Sequence, residues 1–260
     1  MAFLHLLIAL ALTASSVLVK ATLFTLRNNC DGPVWPGIQP GSGHPALLNG
    51  GFRLAPNDSA RIPAPPGWSG RFWARRGCSF DPVTGRGACA TGDCGGSLEC
   101  AGAGGAPPVT LAEFTLDAPV DFYDVSLVDG YNLPVSVVPI GGSGDMCRPV
   151  TCVSDLNRSC PGPLRVTRAD GAVVACMSAC MAFNRPEFCC TGQHGSPATC
   201  GPTEYSRVFK RACPSAYSYA YDDATSTFTC KDHWTVLHLI DIKVLLLFAF
   251  PTPALAVFAF

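Results

Sequence analysis

From Gly85 to Cys100 the chain reads GRGACATGDCGGSLEC. Glycine and cysteine recur so closely that no apolar core fits between them. Such a stretch closes small loops one after another, here through Cys78, Cys89, Cys94 and Cys100. The chain holds 15 cysteines in 260 residues. That density reads as a disulfide framework in an oxidising compartment.

The N-terminus agrees with that compartment. Residues 1–21 carry an apolar run from Phe3 to Leu12, and Val19-Lys20-Ala21 fits a small-x-small cleavage site, so this segment reads as a secretory signal peptide. The run is too short for a membrane span. Without Lys20, 17 basic residues face 19 acidic ones, a formal charge of −2. That excludes a nucleic-acid footprint and a basic membrane-binding stripe. Asn57-Asp58-Ser59 and Asn157-Arg158-Ser159 are acceptor sequons for N-glycans in a secreted protein. No C-x-x-C occurs, and the histidines (His5, His44, His194, His233, His238) are scattered. Neither a metal site nor any other cofactor is therefore expected. The absence of a G-x-S-x-G elbow argues against a serine hydrolase.

With 26 glycines and 23 prolines, turns should be many and helices few. Strand-like runs fall at Leu23–Leu26, Val34-Trp35, Phe52–Leu54 and Gly70–Arg75. Pro63, Pro65 and Pro66 mark a turn before the last of these. Further strands are read in VTLAEFTL, DFYDVSLV and LPVSVVPI, with a turn at Gly130. A second cysteine-dense region runs from Cys147 to Cys213. Within it, Ala175–Asn184 suits one short helix. Cys189 and Cys190 are too close to bridge each other. A loop at Tyr217–Asp223 and a strand at Thr225–Thr229 follow, and Trp234–Ile240 has strand composition.

These residues resemble the thaumatin-like family, also called pathogenesis-related family 5. Gly85–Cys94 matches the family's G-x-[GF]-x-C-x-T-G-D-C signature at every fixed position. The likeness runs from about Thr22 to Cys230 and includes TLRNNC, TLAEFTL, DFYDVSLVDGYNLP, CPSAYSYAYDD and STFTC. It implies a mainly β fold: a flattened antiparallel β-sandwich, a disulfide-rich domain of loops and short helices, and a small Cys/Gly-rich third domain. Divided on that plan, residues 22–230 form the thaumatin-like domain. Its sandwich takes 22–75, 109–146 and 214–240, its Cys/Gly module 76–108 and its disulfide-rich domain 147–213.

The resemblance also implies the pairs Cys78–Cys89, Cys94–Cys100, Cys147–Cys230, Cys152–Cys213, Cys160–Cys176, Cys180–Cys189 and Cys190–Cys200. Cys30 is left over. In the family its partner lies in the last strand, whereas this chain has no cysteine after Cys230. Cys30 is expected as a lone thiol or in a bridge between molecules. Residues 231–260 form an atypical apolar tail with three readings: a membrane anchor, a lipid-anchor signal, and, favoured among them, an altered transcript end.

In the family an arginine and four acids line an acidic cleft between sandwich and disulfide-rich domain. The matching residues here are Arg71, Glu113, Asp124, Asp129 and Asp222. Clustered acids raise one another's pKa, and an arginine keeps part of the set ionised. Such a cleft suits hydrogen bonding to sugar hydroxyls, or the paired carboxyls of a glycosidase. If the chain is an enzyme, Glu113 is expected as acid, with Asp124 or Asp129 as base or nucleophile. Aromatics nearby (Phe122, Tyr123, Tyr131, Tyr217, Tyr219) serve either as sugar platforms or as core. Asp93, inside the signature, reads as a turn cap.

The function implied is that of a secreted antifungal defence protein of the apoplast or cell wall. It would be a monomer that binds β-1,3-glucan through the cleft. A weak endo-β-1,3-glucanase is the alternative, followed by a hydrolase or protease inhibitor acting through loops such as Gly37–Gly50. Membrane permeabilisation is disfavoured by the near-neutral charge.

Overall fold

The computed structural model describes residues 22–116 and 119–231, and the backbone of 234–240. The expected signal peptide (1–21) and the tail beyond residue 240 lie outside the described residues.

Two five-stranded sheets face each other. The strands are β1 (Thr22–Asn29), β2 (Trp35–Pro40), β3 (Ser59–Ala64), β4 (Ser69–Arg75), β5 (Ser79–Phe80), β6 (Gly87–Ala88), β7 (Leu111–Thr115), β8 (Asp121–Ser126), β9 (Val135–Ile140), β10 (Val150–Cys152), β11 (Arg165–Thr167), β12 (Val173–Cys176), β13 (Phe228–Cys230) and β14 (Trp234–Ile240). The first sheet runs β10-β9-β14-β1-β3 and the second β13-β8-β7-β4-β2. Two-stranded ribbons, β5-β6 and β11-β12, complete the set. Among the described strands every pairing is antiparallel except β1 with β14, which is parallel.

Period-two alternation builds the core. Phe24 and Leu26 of β1, Phe72 and Ala74 of β4, Ala112 and Phe114 of β7, and Tyr123 and Val125 of β8 all join one buried cluster between the sheets. At its centre Phe24 lies 4.9 Å from Phe72 and 4.8 Å from Phe114, ring centre to ring centre. Trp68 closes the cluster at 5.7 Å from Phe24. Each such aromatic pair adds about 0.5–1.5 kcal/mol beyond simple burial. The intervening residues of β4, namely Arg71, Trp73 and Arg75, point to the opposite face of the second sheet.

The Cys/Gly module sits on one end of that outer face. Trp73 packs there with Cys94, Cys100, Val109 and Leu111, and its indole N–H donates to Gly92 O at 2.8 Å. Arg75 is fully buried. Its guanidinium donates to Trp35 O, Pro36 O, Ser97 O and Leu98 O, at 2.7–3.3 Å. Burial lowers its pKa to about 10, against the nearby charge of Asp93. Asp93 Oδ2 accepts from Gly96 N at 2.7 Å, as a turn cap does.

Seven disulfides stand in the structure: Cys78–Cys89, Cys94–Cys100, Cys147–Cys230, Cys152–Cys213, Cys160–Cys176, Cys180–Cys189 and Cys190–Cys200. Cys30 is buried and belongs to none of the seven. The helices are short: α1 (Leu156–Ser159), α2 (Ala179–Phe183), α3 (Pro186–Cys189), α4 (Glu204–Ala212) and α5 (Asp223–Ser226). Among the described residues no helix is long and apolar enough to cross a membrane, and no cluster of His, Cys, Asp and Glu could hold a metal ion.

Several local expectations need correction. Phe52–Leu54 is not a strand, because only Leu54 bridges, to Val34. The helix read at 175–184 is confined to Ala179–Phe183, since Ala175 and Cys176 pair with β11. Ser178 opens that helix by accepting from Met181 N, and Asn184 ends it in the left-handed conformation. The strand read at Thr225–Thr229 starts only at Phe228, with α5 occupying Asp223–Ser226. Several elements escaped the sequence reading, β3 and α4 the longest among them. β3 contains Pro63, tolerated because β3 is a sheet edge whose outer side needs no donor. α4 is opened by a capping box between Thr203 and Ser206.

Candidate functional site

The outer face of the second sheet is left open beyond the Cys/Gly module. Strand register lines up one row across it. Gln39 of β2 faces Arg71 of β4, Arg71 faces Glu113 of β7, and Glu113 faces Asp124 of β8. All four side chains line an open groove, together with Ser69, Thr115 and the exposed Phe122. Alternation thus makes the site: the same period that buries Phe72, Ala112 and Val125 turns their neighbours outward.

Arg71 Nη1 lies 3.8 Å from Glu113 Oε1, with the two side chains 42% and 35% exposed. Glu113 has its pKa raised by burial, lowered again by Arg71, and raised further by Asp129. Asp124 is the more perturbed group. Burial, then the charges of Glu113 and Asp223, push it up to about 8. Its Oδ1 is buried with no hydrogen-bond partner among the described residues. Asp124 therefore holds a proton at neutral pH beside a glutamate whose ionised form Arg71 favours. Both carboxyls expected as the acid and its partner are raised, Asp124 the further of the two.

The other two acids separate. Asp129 sits in the turn after β8 and lines a neighbouring hollow with Ser178, Glu187 and Tyr219. Its charge still reaches Glu113. Asp222 is engaged elsewhere. Its carboxylate accepts from Ser218 N, Ser218 Oγ and Thr225 Oγ1, and pairs with Lys210 Nζ at 2.9 Å. The carboxylate whose charge acts on Asp124 is the adjacent, exposed Asp223, which accepts from Tyr217 Oη at 2.9 Å. The repeated Asp in CPSAYSYAYDD was the signal for this ambiguity, but only Lys210 resolves it.

The aromatics divide similarly. Tyr123 and Tyr131 are buried, their hydroxyls donating to Arg148 O and Ser154 O. Phe122 is 46% exposed in the groove. Tyr217 stands beside Asp223 and feels the charge of Asp124. Gln39 and Thr115 were missed in the sequence, where nothing sets a neutral groove residue apart.

Comparison with known proteins fits this architecture. The model of the thaumatin family matches residues 28–239. A pathogenesis-related thaumatin-like protein 3.5 of Cryptomeria japonica is 60% identical over 225 residues, covering 86% of this chain and 92% of its own length. Pathogenesis-related protein 5 of Arabidopsis thaliana is 59% identical over 228 residues, covering 87% and 92%. A protein of Prunus avium named glucan endo-1,3-beta-glucosidase is 50% identical over 214 residues, covering 81% and 86%. In fold alone, a laminaripentaose-producing beta-1,3-glucanase solved with laminaritetraose superposes with a TM-score of 0.59 at 15% identity, over 85% of this chain and 99% of that one. Signature, sandwich, disulfides and relatives agree: the chain belongs to the thaumatin family.

Proposed function

We propose that this is a secreted defence protein that binds β-1,3-glucan of fungal walls through the groove of Arg71, Glu113 and Asp124. The observation that carries the reading is the registered row Gln39–Arg71–Glu113–Asp124 beside the exposed Phe122. The row offers donors and acceptors side by side for sugar hydroxyls, and Phe122 offers an apolar face for a pyranose ring. The names of the pathogenesis-related relatives support the defence role. Seven disulfides in one chain support an oxidising, extracellular location. Asp129 and Asp223 act on this groove through their charge, on Glu113 and Asp124 respectively.

Hydrolysis is the second reading, favoured by the proton on Asp124. Two adjacent carboxyls with unequal pKa are the kind of pair that glycoside cleavage uses. Asp124 would then be general acid and Glu113 nucleophile or base. The name of the Prunus avium relative supports this reading.

One experiment separates the two: binding to insoluble β-1,3-glucan, with reducing-end release, for wild type, Glu113→Gln and Asp124→Asn. Binding without release is the expected result for a lectin-like protein. Release lost in both variants, with binding retained, makes the groove catalytic. Absence of binding refutes both readings.

A further inference from the structure

A second hollow opens away from the groove, where three parts of the chain meet. Its walls are Trp35 at the start of β2, Arg76 just after β4, Thr91 of the Cys/Gly module, Asn157 of α1, and Arg168 and Val173 of the β11–β12 ribbon. Arg71 and Arg76 are five residues apart along β4 and its extension, about 16 Å at strand rise. The hollow is thus separate from the groove. Its volume is about 390 Å³, against about 230 Å³ for the groove, and lies within the roughly 300–1,000 Å³ usual for ligand sites.

Its chemistry is opposite in sign. Arg76 is exposed, and among the described residues no carboxylate forms an ion pair with it. Arg168 stands on another wall, paired with Asp170 at 2.5 Å. A third guanidinium, that of Arg53, lies 6.0 Å from the Trp35 ring centre. The walls between these charges are largely apolar, from Trp35, Val173 and their neighbours. Thr91 Oγ1 accepts from Asn132 Nδ2 at 3.1 Å, which leaves its own proton to donate. Asn157 Nδ2 donates to Asn132 O and Val174 O, and that fixes Asn157 Oδ1 as a buried acceptor with no partner among the described residues.

We propose that this hollow is a second carbohydrate site and takes a carboxylated sugar, a uronate unit of an acidic polysaccharide. A uronate carries the features the walls call for. Its carboxylate matches the planar fork of Arg76. Its ring has C–H faces for Trp35 and Val173, and a hydroxyl serves as partner for Thr91. A neutral glucan leaves Arg76 unmatched, and a bare anion leaves the apolar walls bare.

The test is calorimetric titration of the whole secreted protein with a hexamer of α-1,4-linked galacturonate at physiological salt. The comparison uses wild type, Arg76→Gln, Arg76→Lys and Arg71→Gln. The expected result is binding that weakens about tenfold or more in Arg76→Gln, weakens less in Arg76→Lys, and stays unchanged in Arg71→Gln. Arg76 is exposed, so its variants keep the fold, and matching melting curves verify that. Absent binding by wild type, unchanged binding by Arg76→Gln, or equal binding of polyglutamate of the same charge overturns the proposal.

Discussion

Glu113 and Asp124 face each other across β7 and β8 in direct register, and the environment divides their protons unequally. Burial raises Glu113 against the opposing charge of Arg71, while Asp124 is pushed up to about 8 by burial first and by Glu113 and Asp223 after that. Directly opposed residues have Cβ atoms about 4.5–5.5 Å apart. At that separation the charge of Glu113 adds to the effect of burial on Asp124.

A stability test follows from the sign of that shift. A carboxyl whose folded pKa stands above its ordinary 3.8 stabilises the fold while protonated. The contribution is full below about pH 4 and is lost as the pH rises towards 8. Asp124→Asn copies the protonated acid at every pH. Its melting temperature should match wild type near pH 4 and exceed it by about 3 °C or more at pH 8. Scanning calorimetry across pH 3–9 checks this, and a constant gap would refute the buried proton.

The neighbouring aspartates should behave as different kinds of residue. Asp222→Asn removes the partner of Lys210, whose ammonium also donates to Ala216 O and Ser226 Oγ. That change should cost about 3 kcal/mol, the low end of the scale for breaking a buried pair, since Lys210 keeps some exposure. Asp223→Asn should cost little, because Asp223 is exposed, yet lower the Asp124 titration midpoint by removing a like charge. Denaturant unfolding and carboxyl NMR titration of both variants check the assignment. Equal destabilisation by the two would contradict it.

The residue set Arg71, Glu113 and Asp124 comes from the family resemblance, and strand periodicity agrees with it. In GRFWARR, TLAEF and DFYDVS the alternation alone puts Arg71, Glu113 and Asp124 on the faces opposite Phe72, Phe114 and Tyr123. It failed where a tertiary partner decides. Asp222 and Asp223 look alike in the sequence, and only their partners separate them: Lys210, Ser218 and Thr225 for Asp222, Tyr217 for Asp223. β3 was hidden because Pro63 reads as a breaker until its edge position is known. α4 carries its apolar stripe, Tyr205, Val208, Phe209 and Ala212 at helical spacing, over only nine residues, so it was lost among the turns of a cysteine-rich region. The proton on Asp124 was invisible for a similar reason. Adjacency to Glu113 can be read from register, but burial of one oxygen cannot.

Arg75 should be the residue on which the Cys/Gly module depends. Its guanidinium spans β2 and the 94–98 loop through four carbonyls, and Cζ lies 5.5 Å from the Phe80 ring centre. Lysine keeps the charge but has three donors in place of five and no planar fork. Arg75→Lys should lose about 2–4 kcal/mol. Its amide protection should fall at residues 85–98 before it falls in β7 or β8. Hydrogen exchange resolves the two regions, and uniform loss of protection would mean that Arg75 acts on the whole sandwich instead.

The two sequons should differ in occupancy. Asn57 lies in an exposed turn with a positive φ of 64°, and no side-chain hydrogen bond holds it among the described residues. Asn157 has its amide nitrogen committed inward, to Asn132 O at 3.1 Å and Val174 O at 3.3 Å. A glycan replaces one of those two N–H donors and adds bulk where α1 packs on β12. Folded, secreted protein from a eukaryotic host should therefore carry one N-glycan, removed by Asn57→Gln. Ser159→Ala abolishes the second sequon without touching the Asn157 amide, so it should leave both the glycan mass and the melting temperature unchanged. A drop of one glycan mass in Ser159→Ala would show that the Asn157 amide gives up an inward bond, and that α1 stands further from β12 than the structure has it.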